Sequence, residues 1–112
     1  MSVFGPLEET IIDSATVTAD ENSASIDMKN HRTWSCQLVW TSTTAAGTVK
    51  MQESNDGTNW EDISGASQAI SNDSGSTMFK STDAFQAKYI RALVDFTSGS
   101  ITTVQCYFVA KP

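Results

Sequence analysis

Few residues in this 112-residue chain could carry chemistry, and they are poorly placed to do it together. The single histidine, His31, stands in Lys29-Asn30-His31-Arg32, a polar stretch that reads as the connection before a strand. A Ser-His-Asp or Cys-His site would have to use it. No nucleophile-elbow pattern accompanies it, so an ordinary surface residue is expected. One histidine and two cysteines, Cys36 and Cys106, do not make a zinc site. Asn55, Asp56 and Asn59, with Glu53 and Asp62 nearby, could offer oxygens to calcium, but the acidic spacing of a calcium loop is missing. Turn chemistry explains them without an ion. Glu61 and Asp62 are adjacent, and adjacent strand residues point to opposite faces, so they cannot share one substrate as acid and base. There is no phosphate loop and no Gly-rich dinucleotide motif. These residues point to no enzyme, no metal and no cofactor.

Three tryptophans could stack on sugar rings. Trp34 and Trp40 alternate in register with Cys36 and Leu38, which makes core packing the expectation. Trp60 follows a turn and is expected to lie over the end of a hairpin. With Asn59 it forms the candidate ligand platform, should the chain bind carbohydrate. Tyr89 and Tyr107 fall on outward strand positions and are candidate interface residues.

The elements that position these residues are strands. No segment holds a 3.6-residue apolar period over a helical length, whereas alternation with period two recurs. Residues 1–9 read as an extended arm, in which Val3, Phe4 and Leu7 are candidate contacts for a neighbouring molecule. Residues 10–112 read as one domain. Strands are expected at residues 10–18, 25–28, 34–41, 48–54, 60–63, 88–96 and 101–110, with residues 68–70 and 77–80 as short additions. Residues 19–22, 43–47, 55–59 and 97–100 read as turns, and residues 65–75 as a loop. Residues 81–87 could hold one helical turn. The whole is an all-β domain, a single antiparallel β-sandwich or jelly roll of about seven to eight strands. Cys36 and Cys106 fall on apolar strand faces, either as buried free thiols or as a bridge between two strands.

Charge narrows the partners. The chain carries 13 Asp and Glu against seven Lys and Arg, a formal net charge of −6. The cations are scattered, so neither nucleic acid nor an anionic membrane is an expected partner. The N-terminus has no basic start and no apolar run, and so does not read as a secretory signal. No apolar stretch approaches the ~20 residues of a membrane span.

The run Gly47-Thr48-Val49-Lys50-Met51-Gln52-Glu53-Ser54-Asn55-Asp56-Gly57-Thr58-Asn59-Trp60 is the most recognisable part. It resembles the strand, Ser-Asn-Asp-Gly-x-x-Trp, strand element of small β-sandwich proteins in tailed-phage virions. Gln37-Leu38-Val39-Trp40-Thr41 before it and Ala87-Lys88-Tyr89-Ile90-Arg91-Ala92 after it are similar to the same group. The likeness covers roughly residues 34–110. The hairpin and the Tyr-Ile-Arg strand are also similar to discoidin-like domains. This chain is shorter than those and lacks their terminal cysteine placement, so their ligand residues do not carry over.

The phage resemblance implies a non-enzymatic virion structural protein made in the host cytoplasm, with a capsid decoration or cementing protein foremost. A tail, neck or fibre-associated component, or a carbohydrate-binding module, is the alternative. The implied partners are the major capsid protein or other virion proteins, and further copies of this chain, a trimer among the options.

Overall fold

Period-two alternation along the chain builds nine strands. The computed structural model describes residues 5–112. The strands are β1 (Leu7–Val17), β2 (Glu21–Asn22), β3 (Ile26–Asp27), β4 (Thr33–Ser42), β5 (Ala46–Ser54), β6 (Glu61–Ser71), β7 (Ser74–Lys80), β8 (Tyr89–Ser98) and β9 (Ile101–Lys111). They form two antiparallel sheets, one in the order β1-β9-β4-β7 and the other in the order β2-β8-β5-β6, with β3 also on β8. The result is an all-β sandwich, as the alternation implies.

The inner faces are those read from the sequence. Trp34, Cys36, Leu38 and Trp40 of β4 are buried, as are Val104, Cys106 and Phe108 of β9 and Ile90 and Val94 of β8. Val49 and Met51 of β5 close the layer from the opposite sheet. The Trp34 and Phe108 rings stack with centroids 6.4 Å apart. Each fully buried Leu or Phe contributes about 1.5–3 kcal/mol relative to exposure, so this layer is the main source of stability. Cys36 and Cys106 are free and buried. The neighbouring Cys36 sulfur and then burial push the Cys106 thiol well above its usual range.

Four local expectations are corrected. β1 begins at Leu7, not at residue 10: Leu7, Glu8 and Glu9 pair with Ala110, Val109 and Phe108. The ladder bonds are made by backbone, so two consecutive glutamates at a sheet edge do not prevent them. The 65–75 loop is instead the second half of β6 and the start of β7. The short strand expected at 68–70 is present, with Ala69 and Ile70 paired to Thr48 and Gly47 and Ile70 buried, but it extends on both sides into residues whose Ser- and Gly-rich composition signals a loop. Glu21 and Asn22, expected within a turn, form β2 against Val94 and Leu93. Residues 81–87 hold no helical turn: amides of Ser81 and Phe85 donate to carbonyls of Trp34 and Arg32, which pins the segment to β4 and the residue before it.

The chain passes between the sheets at tight corners that pack on one another. Residues 43–45 carry it from β4 to β5, residues 72–73 from β6 to β7, and residues 99–100 from β8 to β9. The Asn72 amide donates to the Ala45 carbonyl at 2.9 Å. Gly99 has φ +78°, and a Cβ there would lie 1.8 Å from the Thr44 carbonyl oxygen. Only glycine lets these two corners close.

Two outcomes follow. Gly99→Ala should lower stability by about 3 kcal/mol or more, combining left-handed strain with a backbone clash. Gly65→Ala, at φ +79° with nothing within 4 Å, should cost only about 1 kcal/mol. Denaturant melts of the two variants test this, and equal losses would refute the corner packing. A thiol reagent should label neither cysteine in the native protein and both after denaturation. Labelling of the folded chain, or a missing thiol in the denatured one, would contradict two buried free cysteines.

Candidate interaction surfaces

The residues that could do chemistry do not converge. His31 Nε2 lies 3.2 Å from the Gly5 carbonyl, and the ring is half-buried against that stretch rather than beside a nucleophile. Among the described residues no three His, Cys, Asp or Glu side chains are grouped as metal ligands would be. The site to consider is therefore surface, and the sandwich offers two outer faces.

The outer face of the β8-β5-β6 layer is an internally paired network. The bonds run outward from Gln52, whose side chain is buried. Its amide donates to Asp62 at 2.8 Å, and its carbonyl accepts from Arg91 Nε at 2.9 Å. Lys50 reaches Asp62 at 3.2 Å and Asp95 at 3.6 Å. The Gln52 amide, then Lys50, hold the Asp62 carboxyl below its usual range. The Arg91 guanidinium lies 4.3 Å from the centroid of the Trp60 ring, a cation–π contact. Trp60 is half-buried, and one face of its ring is thus taken by Arg91. Lys88 Nζ sits 5.2 Å from the Tyr89 ring centroid, and Tyr89 packs beside Gly57.

Asn59, the other half of the candidate platform, belongs to the turn. Asp56 accepts from the amides of Thr58 and Asn59 at 2.8 Å each, from the Asn59 side chain at 2.7 Å and from Ser54 Oγ at 3.0 Å. Ser54 Oγ in turn accepts from the Asp56 and Gly57 amides. Gly57, at φ +76°, supplies the left-handed step. The Asn59 donors, followed by Thr58 and Ser54, hold the Asp56 carboxyl far below the usual carboxylate range. Its oxygens are occupied by N–H and O–H donors, which accounts for the turn without calcium.

The outer face of the β1-β9-β4-β7 sheet has a different character. β4, β7 and β9 are adjacent and contain no Asp or Glu, although the chain has 13. Among the described residues the exposed large apolar side chains are Met78 and Tyr107, at 47% and 41%. Both are cross-strand partners of Gln37, so they stand in one row with Thr10 beyond Tyr107. A groove of about 220 Å³ lined by Trp34, Lys80, Ser81 and Lys111 opens at one end of this sheet.

The structure thus sorts the sequence candidates. Tyr107 is exposed on this face. Tyr89 lies on the other sheet, half-covered by its neighbours. Leu7 packs against the core and is not a free contact, because its partner Ala110 faces inward. Val3 and Phe4 lie outside the described residues. Sequence reading missed Met78 and Lys80 as surface residues. The signal was present in the Ser74, Ser76, Met78, Lys80 alternation, masked by the turn-like composition before it.

The depressed Asp56 carboxyl gives a pH test. A group with a lowered folded-state value contributes its full stability above the unfolded carboxyl's value of about 3.9. That contribution is lost as pH falls toward the folded value. Wild type should melt above Asp56→Asn at pH 7, and the gap should shrink steadily below about pH 4. A gap constant down to pH 2 would show that the charge does not matter.

No protein-family model matches the chain, and no curated protein does. Solved structures do. The PBSX exported protein XepA superposes with TM-score 0.68 and 12% identity, over 94% of this chain and 37% of XepA. The SPBc2 prophage-derived protein YomS gives 0.55 and 13%, over 100% of this chain and 99% of YomS. A subunit of the Bacillus endospore appendages, disulfide-linked pili, gives 0.57 and 8%, over 96% and 88%. The chain spans little more than a third of XepA and nearly all of YomS, and at these identities what it shares with them is the sandwich fold.

Proposed function

We propose that this chain is a non-enzymatic virion structural protein, and that it acts as a capsid decoration or cementing protein that docks on the shell and stabilises it. The observation that carries the reading is the acid-free outer face of β9, β4 and β7, with Tyr107 and Met78 exposed on either side of Gln37. An acid-free, aromatic- and Met-bearing patch on a chain of net charge −6 has the make-up of a protein–protein contact. The sandwich shared with phage-derived proteins and the virion-like hairpin motif support it. Trp60 weighs against a sugar platform, since Arg91 already occupies one face of its ring.

The mechanism is mechanical. A small sandwich, rigid by virtue of its packed core, occupies a repeated site and adds contacts between neighbouring subunits. Mass spectrometry of purified particles of the encoding phage should find many copies of the chain. Particles lacking it should break at lower temperature, and added purified protein should restore them. Virions without copies would sink the reading, and a map placing the chain on the tail or neck would move it to that alternative.

A further inference from the structure

We propose that the outer face of the β1-β9-β4-β7 sheet binds a second copy of this chain, face to face about a two-fold axis that lies in the interface and runs parallel to the strands. The inference rests on the assembly reading above and names the occupant of that face. It begins from charge. Two copies of a −6 chain repel, and they approach most easily through a face whose central strands carry no carboxylate. β9, β4 and β7 form that surface, three adjacent strands with Lys80 and Lys111 as their charged residues. Neither lysine has a partner among the ion pairs of the described residues, which are both made by Lys50.

The cross-strand register then selects the axis. One row across the sheet reads Glu8, Val109, Ser35, Lys80. Rotation about an axis parallel to the strands reverses that row over itself. Each Glu8 then faces the Lys80 of the other copy, giving two equivalent ion pairs. The next row, Thr10, Tyr107, Gln37, Met78, reverses in the same way. Tyr107 meets Gln37, and Met78 meets Thr10. In the row Asp13, Gln105, Val39, Ser76 the carboxylate meets a serine. No like charges face each other. A two-fold axis perpendicular to the strands, through the middle of these rows, would set Glu8 against Ala15 and Lys80 against Ser74, with no ion pair formed. Either in-plane axis keeps the strands aligned, as β-sheets stack at roughly 10 Å, so the charge rows make the choice.

Size fits a reversible dimer. Four strands about 4.8 Å apart and rows spanning about 30 Å give roughly 600 Å² per copy, or about 1,200 Å² in all. That is the lower end for a specific interface, about 1,200–2,000 Å².

Sedimentation velocity over a concentration series tests this. Wild type should convert reversibly from monomer to dimer. Tyr107→Asp and Met78→Asp should each weaken the dimer by about tenfold or more, with far-UV circular dichroism unchanged. Lys80→Glu and Glu8→Lys, both at exposed positions, should each weaken it several-fold, and the double charge swap should recover the wild-type constant. A monomer at every concentration, a different oligomer, indifference to both aspartate variants, or no recovery in the double swap would each overturn the proposal. A monomeric chain still found in virions would defeat the dimer and leave the virion reading standing. A dimer absent from virions would do the reverse.

Discussion

The register between β4 and β9 is the constraint on which the rest of this molecule depends. Cys36 sits opposite Phe108 and Leu38 opposite Cys106, so every inward side chain of one strand meets an inward side chain of the other. The same pairing puts Gln37 beside Tyr107 and Ser35 beside Val109 on the outside. A slip of one residue would turn the core outward and the acid-free outer face inward. Core and surface are thus two readings of one set of backbone bonds. The strands on either side, β1 and β7, take their registers from this pair, and with them the positions of Glu8, Lys80 and Met78.

The two outer faces use their polar groups in opposite ways. On the β8-β5-β6 layer, Gln52 links Arg91 to Asp62, and Lys50 links Asp62 to Asp95. Charges that satisfy one another have little left to offer a partner, and exposed pairs of this kind contribute modestly to stability. On the other layer the outward residues of β4 carry no charge at all. What remains there is apolar area and hydroxyl or amide groups, which cost less to bury than charges once they find hydrogen-bond partners. This asymmetry separates a face that stabilises the hairpin from a face suited to contact.

The sandwich shared with XepA, YomS and an endospore pilus subunit is an architecture, and architectures of this kind host unrelated tasks. What distinguishes this chain lies in its surfaces and corners. Its two cysteines lie buried and diagonal to each other across β4 and β9, where they pack as small apolar groups. Its corners close by backbone contact at Thr44, Ala45, Asn72 and Gly99, where the chain crosses from one layer to the other.

The sequence by itself determined the fold class, the inner faces of β4, β5, β8 and β9, and the Asp56-Gly57 turn. Each depends on local rules: period-two alternation, and the ability of Asp and Gly to close a turn without help from afar. It left β2, the second half of β6 outside residues 68–70 and the first residues of β1 unread, because their side chains are mostly small, polar or acidic and their pairing is carried by backbone bonds to distant strands. Tertiary structure alone decided that Met78 and Tyr107, 29 positions apart, flank one glutamine. It also decided that Arg91 takes the Trp60 ring, and that three acid-free segments lie side by side. Strand order is set by which layers can cover each other, and nothing local in the chain states which neighbours a strand will have.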